Sequence, residues 1–518
     1  MPGLLWLAVS LGVALRLAHY LLNRSLSQDE AFVALNLKSR SLPELLDTLD
    51  NNQAAPFGFL MLEELATEAI GASEYGLRLV PLLAGIAALV LFARLAPRLL
   101  SERAAAIAVL LFAAVTPLVV LSAATKQYST DVLAAVAISA VALPFLPGGW
   151  PLRSLVPLGI VGAASPWLSH PAPFVLAGVL LALAVAPVRR RDRRRVLALG
   201  AVALICLFSF AGAYRLGQSN VEHVRASLQG RSTETGPSAY MPFPPRSLQD
   251  LKWFPRGARE VARGGFGVYT ILAPLAGLVL LLGGLVVGRS GWVRLFALAS
   301  PLVFALIASA LRLYPFGGRF VLFAIPPLLL VAAAGLDELL RRPRGRRRWV
   351  APAIAAFVVL PLAASATVAL LGRGYHPSLW GREARPVVRY IADRHADGDR
   401  LFVAHNIQHA FRYHAERLPR EPLPWPIVPT GGGAEQYAPA LRSYPPRLVV
   451  GKPRRQLAGY VRDLKTVGRG GRAWFILGAD EERKFRPALD RLGRRIDRIR
   501  RKDVTAVLYE LDGSGAAR

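Results

Sequence analysis

The sequence of 518 residues contains one cysteine, Cys206, which lies in an apolar run. A single thiol can build neither an intrachain disulfide nor a metal site made of several cysteines, so we interpret Cys206 as a packing residue. Charged residues are scarce as well, at 19% of the chain, whereas 53% of the residues are hydrophobic and the mean hydropathy is +0.37. This composition excludes an ordinary water-soluble globule and indicates a protein that resides in the bilayer.

Apolar runs recur along most of the chain, and a helix of roughly 20 mainly apolar residues spans a hydrocarbon core. Because two of the runs are near the shorter limit, we predict a polytopic α-helical membrane protein with about eleven transmembrane helices, within a range of about nine to twelve. The runs are Leu4–Leu22, Leu77–Leu95, Ala104–Leu121, Val132–Leu146, Leu155–Leu168, Pro173–Val188, Val196–Tyr214, Val268–Val287, Leu295–Leu313, Val321–Leu340 and Val350–Leu371.

Basic residues outnumber acidic ones by 63 to 34, which gives a net charge of +29. Many of them are concentrated in loops, as in the blocks Arg189–Arg195 and Arg341–Arg348. Short loops rich in arginine stay on the cytoplasmic side of a membrane. If these loops are cytoplasmic and the spans cross the membrane one after another in chain order, the amino terminus lies in the cytoplasm and the carboxy-terminal tail lies outside. We therefore predict a multi-pass protein of the cytoplasmic (inner) membrane with no nucleic-acid partner.

The first outer loop, residues 23–76, carries two helix signals. Pro follows Ser41-Leu42 at an early helical position, and Phe59–Ile70 has apolar residues at helical spacing. Short amphipathic helices of this kind suit the membrane interface. We therefore predict interfacial helices in this loop.

The hydrophilic tail, residues 372–518, has a different pattern from the rest of the chain. Short β-type runs alternate with charged, helix-like stretches, and about 145 residues can bury a core of their own. We therefore predict two domains, a transmembrane catalytic domain over 1–371 and a soluble, extracytoplasmic α/β domain over 372–518. The predicted strands are Leu401–His405, Arg447–Val450, Trp474–Leu477 and Val504–Leu511, and the predicted helices are Arg382–His395 and Asp480–Arg501.

An acidic pair, Asp29-Glu30, follows the first span at the level where water meets lipid. One interpretation is a helix start, in which Ser27 or Asp29 accepts hydrogen bonds from free backbone N–H groups. The other is a catalytic pair at the interface, which gains weight from the residues predicted on the same face of the membrane. Both interpretations stay open for the pair alone.

Four basic residues lie near the outer ends of predicted spans, where a cation either extends to the interface or lines a polar cavity. Arginine and lysine gathered in one interfacial pocket suit a phosphate or pyrophosphate group, because a guanidinium can bind two oxygens at once. For each of these cations, the alternative to phosphate binding is a structural role, in which the side chain extends to the interface or forms a salt bridge there. The four candidates for donor-phosphate binding are Lys126, Arg319, Arg78 and Arg312.

Five further residues of the outer segments are weaker candidates for contact with a substrate. Each has a structural alternative, as part of a turn, as a helix start or as an interfacial anchor. His170, in the turn Ser169-His170-Pro171, has the chemistry to bind a sugar hydroxyl or a metal ion. The five are Gln53, Tyr128, Asp131, His170 and Tyr314.

Taken in order, these segments resemble those of bacterial GT-C glycosyltransferases. The similarity is strongest to the family 39-like group, which includes dolichyl-phosphate-mannose mannosyltransferases and aminoarabinose transferases, and it covers roughly Leu4–Leu371. The motifs that carry it are Asp29-Glu30, Gln53-Ala54-Ala55-Pro56-Phe57-Gly58, Ser73-Glu74 with Arg78, Lys126-Gln127-Tyr128-Ser129-Thr130-Asp131, Ser169-His170-Pro171 and Tyr314-Pro315-Phe316-Gly317-Gly318-Arg319.

The resemblance implies an inverting transfer of a sugar from a polyprenyl-phosphate donor at the outer face. Asp29 would then be the catalytic base, and Glu30 would orient it or help to hold a cation. Lys126 and Arg319, followed by Arg78 and Arg312, would stabilise the charge that grows on the leaving phosphate. The acceptor would be a lipid, a glycan or a protein.

One departure from the aminoarabinose transferases lies before Pro56. Those proteins have an acidic-basic pair there, whereas this chain has Asn52-Gln53 and then Ala54-Ala55. A role of that pair in metal binding does not transfer to this sequence. No cofactor is therefore assigned, and dependence on a divalent cation is left open.

Two other function classes share parts of this pattern. A transporter or flippase of lipid-linked sugars would have similar spans and interfacial cations, but it would more often show symmetric halves, and the sequence has no such repeat. A scaffold that displays the tail would leave the surroundings of Lys126 and Arg319 unexplained. The sequence therefore favours a glycosyltransferase, with the transporter or flippase as the alternative.

Overall fold

The computed structural model describes residues 2–146, 150–230, 239–267, 273–341, 360, 363–364, 366–367, 371, 383–396, 398–404, 407–415, 448–450, 470–501 and 503–512. The chain divides into two compact units. One, here called the membrane unit, comprises residues 1–22 and 54–374; the other, here called the sheet unit, comprises 23–53 and 375–518. The division into functional domains at residue 371 stays a prediction.

Helices dominate the described chain. In chain order they are α1 (Pro2–Leu21), α2 (Gln28–Ser39), α3 (Phe57–Ile70), α4 (Gly76–Leu99), α5 (Glu102–Ala114), α6 (Thr116–Val120), α7 (Tyr128–Ala142), α8 (Leu155–Leu168), α9 (Ala172–Arg189), α10 (Arg193–Gly230), α11 (Leu248–Leu251), α12 (Trp253–Glu260), α13 (Ala273–Ser290), α14 (Trp292–Ala310), α15 (Ile325–Arg341), α16 (Ala384–Ala392), α17 (Gln408–Ala415) and α18 (Ala479–Leu489). Short 3₁₀ turns at Pro43–Leu46, Asp50–Asn52, Leu121–Ala123 and Gly318–Ala324 and a π turn at Val261–Gly265 accompany them.

Within the described residues, eight helices are long and apolar enough to cross a membrane, or nine if a bent pair is one span. The bent pair joins Glu102–Ala114 to Thr116–Ala123 at 58°. The shorter apolar helix Leu152–Leu168 corresponds to another predicted run. Most of the predicted span Val350–Leu371 lies outside the described residues. The multi-pass helical architecture is thus confirmed, whereas the count of about eleven is not.

Glycines let two of these helices pack with their backbones in contact. A Cβ added to Gly283 of α13 would lie 1.9 Å from the carbonyl oxygen of Val331, and one added to Gly335 of α15 would lie 2.6 Å from that of Val279. Only glycine fits at such separations. Lipid tails are as apolar as the side chains on the helix surface, so the hydrophobic effect does not drive two helices together within the bilayer. Their association depends on close packing of this kind instead.

Charged residues are paired near the carboxyl end of α15. The Asp337 carboxylate accepts hydrogen bonds from the Arg103 guanidinium and from Ser101 Oγ at 2.9 Å, and it lies 2.9 Å from Arg341 Nη2. Ser101 and Asp337 also line a cavity of about 190 Å³, which Arg294 borders as well. Three arginines from different segments, Arg103, Arg294 and Arg341, therefore lie at one end of the membrane unit.

The sheet unit contains a mixed five-stranded sheet. Its strands are β1 (Arg400–Val403), β2 (Leu448–Val450), β3 (Arg472–Gly478), β4 (Gly493–Arg501) and β5 (Val504–Leu511), in the order β2-β1-β3-β5-β4. β1 pairs in parallel with β2 and β3, and β5 pairs antiparallel with β3 and β4. The side chains of β1, β3 and β5 are almost wholly buried. The predicted α/β fold of the carboxy-terminal region is confirmed, whereas its bounds as a domain and its solubility stay predictions.

One element of this unit differs from its prediction. The charged stretch Asp480–Arg501 was expected to be one helix, but α18 ends at Leu489 and β4 follows from Gly493. β4 is an edge strand with its arginines exposed, so it lacks the alternating apolar pattern of a half-buried strand. Pairing with β5 determines its conformation, and at Gly493 the backbones are so close that a Cβ would lie 1.9 Å from Glu510 O.

Candidate active site

The start of α7 is held by hydrogen bonds to neighbouring segments of the membrane unit. Gln127 Nε2 donates to Ala54 O at 3.3 Å. Thr130 Oγ1 lies 2.7 Å from Gln127 O and 2.9 Å from Leu168 O, so its proton is shared between its own helix and the end of α8. These bonds fix the segment that contains the predicted Lys126, Tyr128 and Asp131.

A tight turn before α15 brings a second predicted segment to α7. Gly317 and Gly318 have φ values of +118° and +52°, a region that favours glycine. The Tyr314 hydroxyl donates to Phe320 O at 3.0 Å across this turn. The turn therefore orders the residues on both sides of Arg319.

The guanidinium of Arg319 packs against two aromatic rings. Its Cζ atom is 5.4 Å from the ring centre of Tyr128 and 5.7 Å from that of Phe320, and the two rings meet edge to face at 6.4 Å. Cation–π contacts of this kind hold a guanidinium in place without neutralising its charge. Arg319 is thus a cation with a fixed position.

Tyr314 connects Arg319's turn with Asp131. Burial raises the pKa of the Tyr314 phenol well above its usual value, and the nearby Asp131 carboxylate and Tyr128 raise it further. Phe174 of α9 covers the Tyr314 ring at 5.3 Å, and Ser169 lies beside Asp131. The membrane unit therefore brings four predicted residues, Tyr128, Asp131, Tyr314 and Arg319, into one polar–aromatic cluster. The contacts of Thr130, Phe174 and Phe320 were not predicted.

The other predicted residues of the membrane unit have different surroundings. Arg78 is buried in α4 close to Tyr20 of α1, whose hydroxyl donates to Tyr75 O at 2.9 Å. Arg312 is exposed, with a φ of +57°, where the chain leaves α14. Lys126 is buried two residues before Tyr128, and its backbone N–H donates to Ala124 O at 2.7 Å. Their roles in phosphate binding stay predictions.

The Nε2 atom of His170 is enclosed in the turn between α8 and α9, and burial lowers the pKa of its imidazole to about 4. An unfolded histidine titrates near 6.5, so between these values the unfolded chain binds a proton that the folded protein does not. The unfolding free energy is therefore expected to fall as the pH drops from about 6.5 towards 4. Thermal unfolding of detergent-purified protein should show a smaller pH dependence over this range in His170→Gln than in wild type. Equal pH slopes would contradict the prediction.

The acidic pair lies in the first turn of α2, in the sheet unit. Ser27 Oγ accepts from Glu30 N at 3.2 Å, and Glu30 Oε2 accepts from Ser27 N at 2.8 Å, which together form a capping box. Glu30 is buried, whereas Asp29 is partly exposed. Glu30 therefore has a structural role in addition to its predicted one. Gln53 of the same unit donates from Nε2 to Asn51 O at 2.8 Å.

A pair of substitutions separates the capping role of Glu30 from a catalytic one. Glutamine also accepts the bond from Ser27 N, so Glu30→Gln should keep the thermal stability of the protein, whereas Glu30→Ala should lose about 1 kcal/mol of unfolding free energy. The measurement is thermal unfolding in detergent combined with a transfer assay. If Glu30 only caps α2, Glu30→Gln is as active as wild type. Loss of activity in a stable Glu30→Gln protein would assign the carboxylate to the reaction.

Among the described residues, no group of three or more His, Cys, Asp or Glu side chains has the arrangement of a metal site. Dependence on a divalent cation stays open.

The fold of this chain is similar to those of two solved glycosyltransferases of the GT-C type. ArnT from Cupriavidus metallidurans, an aminoarabinose transferase, aligns in its apo state with a TM-score of 0.54 at 14% identity, over 98% of both chains. Its complex with undecaprenyl phosphate aligns equally well, at 15% identity. An oligosaccharyltransferase from Archaeoglobus fulgidus, solved with zinc and sulfate, aligns with a TM-score of 0.51 at 13% identity, over 94% of this chain and 69% of its own.

The chain therefore has the GT-C fold, and the resemblance seen in the sequence is confirmed at the level of the fold. No protein-family model matches the sequence, and no curated protein matches it.

Proposed function

We propose that this protein is a membrane glycosyltransferase that transfers a sugar from a polyprenyl-phosphate carrier to an acceptor at the outer face of the cytoplasmic membrane. The observation that carries the proposal is the fold, which the chain shares along 98% of its length with an aminoarabinose transferase that has been crystallised with undecaprenyl phosphate. The cluster around Arg319 supports it, because it offers a fixed cation and aromatic surfaces at the ends of membrane helices.

The proposed orientation follows from the two ends of the membrane unit. α7 begins at the cluster with Tyr128, and the residues that follow it, Leu143 and Leu146, line the cavity beside Asp337. The segment from Arg319 through α15 runs between the same two ends. Because arginine-rich loops mark the cytoplasmic side, the cavity end is inward and the cluster end outward. The amino terminus is then cytoplasmic and the sheet unit extracytoplasmic.

In the proposed reaction, an acceptor hydroxyl attacks the anomeric carbon of the carrier-linked sugar from the face opposite the phosphate. A new carbon–oxygen bond forms, the bond to the phosphate oxygen breaks, and the anomeric configuration inverts. Asp29 accepts the proton of the attacking hydroxyl. The polyprenyl phosphate leaves with the electron pair of the broken bond, and Arg319 and Lys126 stabilise its negative charge.

The test is a transfer assay in membranes that contain the protein, with polyprenyl-phosphate-linked sugars labelled in the sugar ring. A transferase produces a new glycosidic bond and releases one polyprenyl phosphate per sugar, and the product has the opposite anomeric configuration by NMR. A flippase instead moves the intact lipid-linked sugar between leaflets. Movement without bond formation, across a panel of hexose and pentose donors and lipid, glycan and peptide acceptors, would overturn the proposal.

A further inference from the structure

The sheet unit contains both the proposed base and the carboxy-terminal residues that hold its segment in place. Residues 23–53 belong to this unit together with α16 and α17, which lie more than 300 residues later in the chain. We propose that Glu383 and Arg385 are positioning residues that set the geometry of Asp29, and that the carboxy-terminal part of the sheet unit thereby belongs to the catalytic apparatus. The inference rests on the proposed role of Asp29 as base.

The first contact is a hydrogen-bond chain centred on Ser25. Ser25 Oγ donates to Glu383 Oε2 at 3.1 Å and accepts from the backbone N–H of Arg385 at 3.2 Å. Ser25 is 1% exposed, so the hydroxyl uses both its donor and an acceptor position away from water. A buried hydroxyl in this arrangement has one favourable orientation, because loss of either partner leaves a polar group unsatisfied.

The second contact fixes the backbone two residues earlier. Arg385 Nη2 donates to Asn23 O at 2.6 Å. Asn23 has a φ of +41°, in the left-handed region that asparagine adopts more readily than most residues. The guanidinium thus holds the carbonyl of a turn that redirects the chain towards α2.

The third contact supports the helix that carries Asp29. Phe32 of α2 packs edge to face on His409 of α17, with ring centres 4.6 Å apart. One turn later, Asn36 Nδ2 donates to Asp50 O at 3.2 Å, and Asn36 Oδ1 accepts from Asp50 N at 2.8 Å. The helix is therefore held near its start by Glu383 and Arg385 and along its length by α17 and the residues around Asp50.

These contacts leave Asp29 little freedom to shift. Ser27 caps α2 two residues after Ser25, so the position of Ser25 determines where the first turn of the helix begins. Asp29 lies in that first turn. A base must lie within hydrogen-bond distance of the proton that it accepts, and a displacement of about 1 Å can lower a rate by about 100-fold. Glu383 and Arg385 are thus placed to affect the reaction without contacting the substrate.

The experiment measures kcat and the donor KM for Arg385→Ala and Ser25→Ala in the full-length protein. Both variants should lower kcat by about 10- to 100-fold with a nearly unchanged donor KM, because they displace the base and leave the phosphate ligands in place. Arg385→Lys, which can still donate to Asn23 O, should recover part of the loss. Arg389→Ala is the matched control, since Arg389 is exposed one turn later on α16. It should behave as wild type.

A double-mutant comparison separates positioning from general destabilisation. If Arg385 acts through Asp29, then Arg385→Ala combined with Asp29→Asn loses no more activity than Asp29→Asn alone. Wild-type kcat in Arg385→Ala and Ser25→Ala, with Asp29→Asn inactive, would overturn this inference and leave the proposed function intact. The inference would also be overturned if Arg385→Ala lowered activity by the same factor in the Asp29→Asn protein as in wild type. Full activity in Asp29→Asn would instead overturn the proposed base.

Discussion

Asp29→Asn is expected to lower kcat for sugar transfer by about 100- to 10,000-fold, the usual contribution of a general base. Asparagine has nearly the size of aspartate and is accepted in the first turn of a helix, so α2 and its capping box should remain. The amide lacks the basic oxygen that takes the proton of the acceptor hydroxyl. The measurement is single-turnover transfer from a labelled polyprenyl-phosphate sugar in membranes with matched amounts of each protein.

The control for this variant is Asp393→Asn. Asp393 is an exposed carboxylate in the same unit, immediately after α16, and it should be replaceable without loss of activity. Donor binding should also be nearly unchanged in Asp29→Asn, since the cations proposed for the phosphate are Lys126 and Arg319. Activity within a few-fold of wild type in a normally folded Asp29→Asn protein would remove Asp29 from the mechanism.

The structure distinguishes the two carboxylates of the acidic pair, which the sequence alone leaves equivalent. Glu30 is buried and one of its oxygens accepts the Ser27 N–H, so it helps to hold the start of α2. Asp29 is partly exposed at the same helix end. The helix-start interpretation therefore holds for Ser27 and Glu30, which form the capping box, and the catalytic interpretation stays a prediction for both carboxylates. Under the proposed function, Glu30 holds the turn and Asp29 is the proposed base.

Most of the membrane helices could be predicted from the sequence, because burial in lipid requires a long apolar run that is visible in composition. What the runs do not show is where a span breaks. Ala104–Leu121 reads as one span, but the chain bends by 58° just before Pro117, which lacks the N–H needed to continue the helix. β4 was missed for the opposite reason, since an exposed edge strand leaves no apolar period in its sequence.

The candidate site was predictable in part. Lys126–Asp131 and Tyr314–Arg319 were expected to act together, and the structure brings Tyr128, Asp131, Tyr314 and Arg319 into one cluster. Arg78 and Arg312 carried the same signal of charge at a span end, and their part in phosphate binding stays a prediction. The bonds of Ser25 to Glu383 and Arg385 join residues about 360 positions apart, for which no local pattern exists.

Arg319→Ala is expected to lower kcat by about 100-fold or more, within the range seen when one group that stabilises developing charge is removed. The departing phosphate gains negative charge as the sugar leaves, and the Arg319 guanidinium is held against Tyr128 and Phe320. The measurement is kcat and KM with a polyprenyl-phosphate sugar donor. Arg256→Ala is the control, because Arg256 is an exposed arginine of the same unit on α12.

Arg319→Lys shows which property of the guanidinium the reaction uses. Lysine keeps the positive charge but lacks the flat, forked group that stacks on an aromatic ring and binds two oxygens. If charge alone stabilises the leaving phosphate, Arg319→Lys recovers most of the activity lost in Arg319→Ala. If the fixed geometry above Tyr128 is needed, the lysine variant stays close to the alanine variant, and Tyr128→Leu should then reduce kcat as well. A rise in KM with an unchanged kcat in all three variants would instead show that Arg319 binds the donor equally in the ground state and the transition state, and so does not accelerate the transfer.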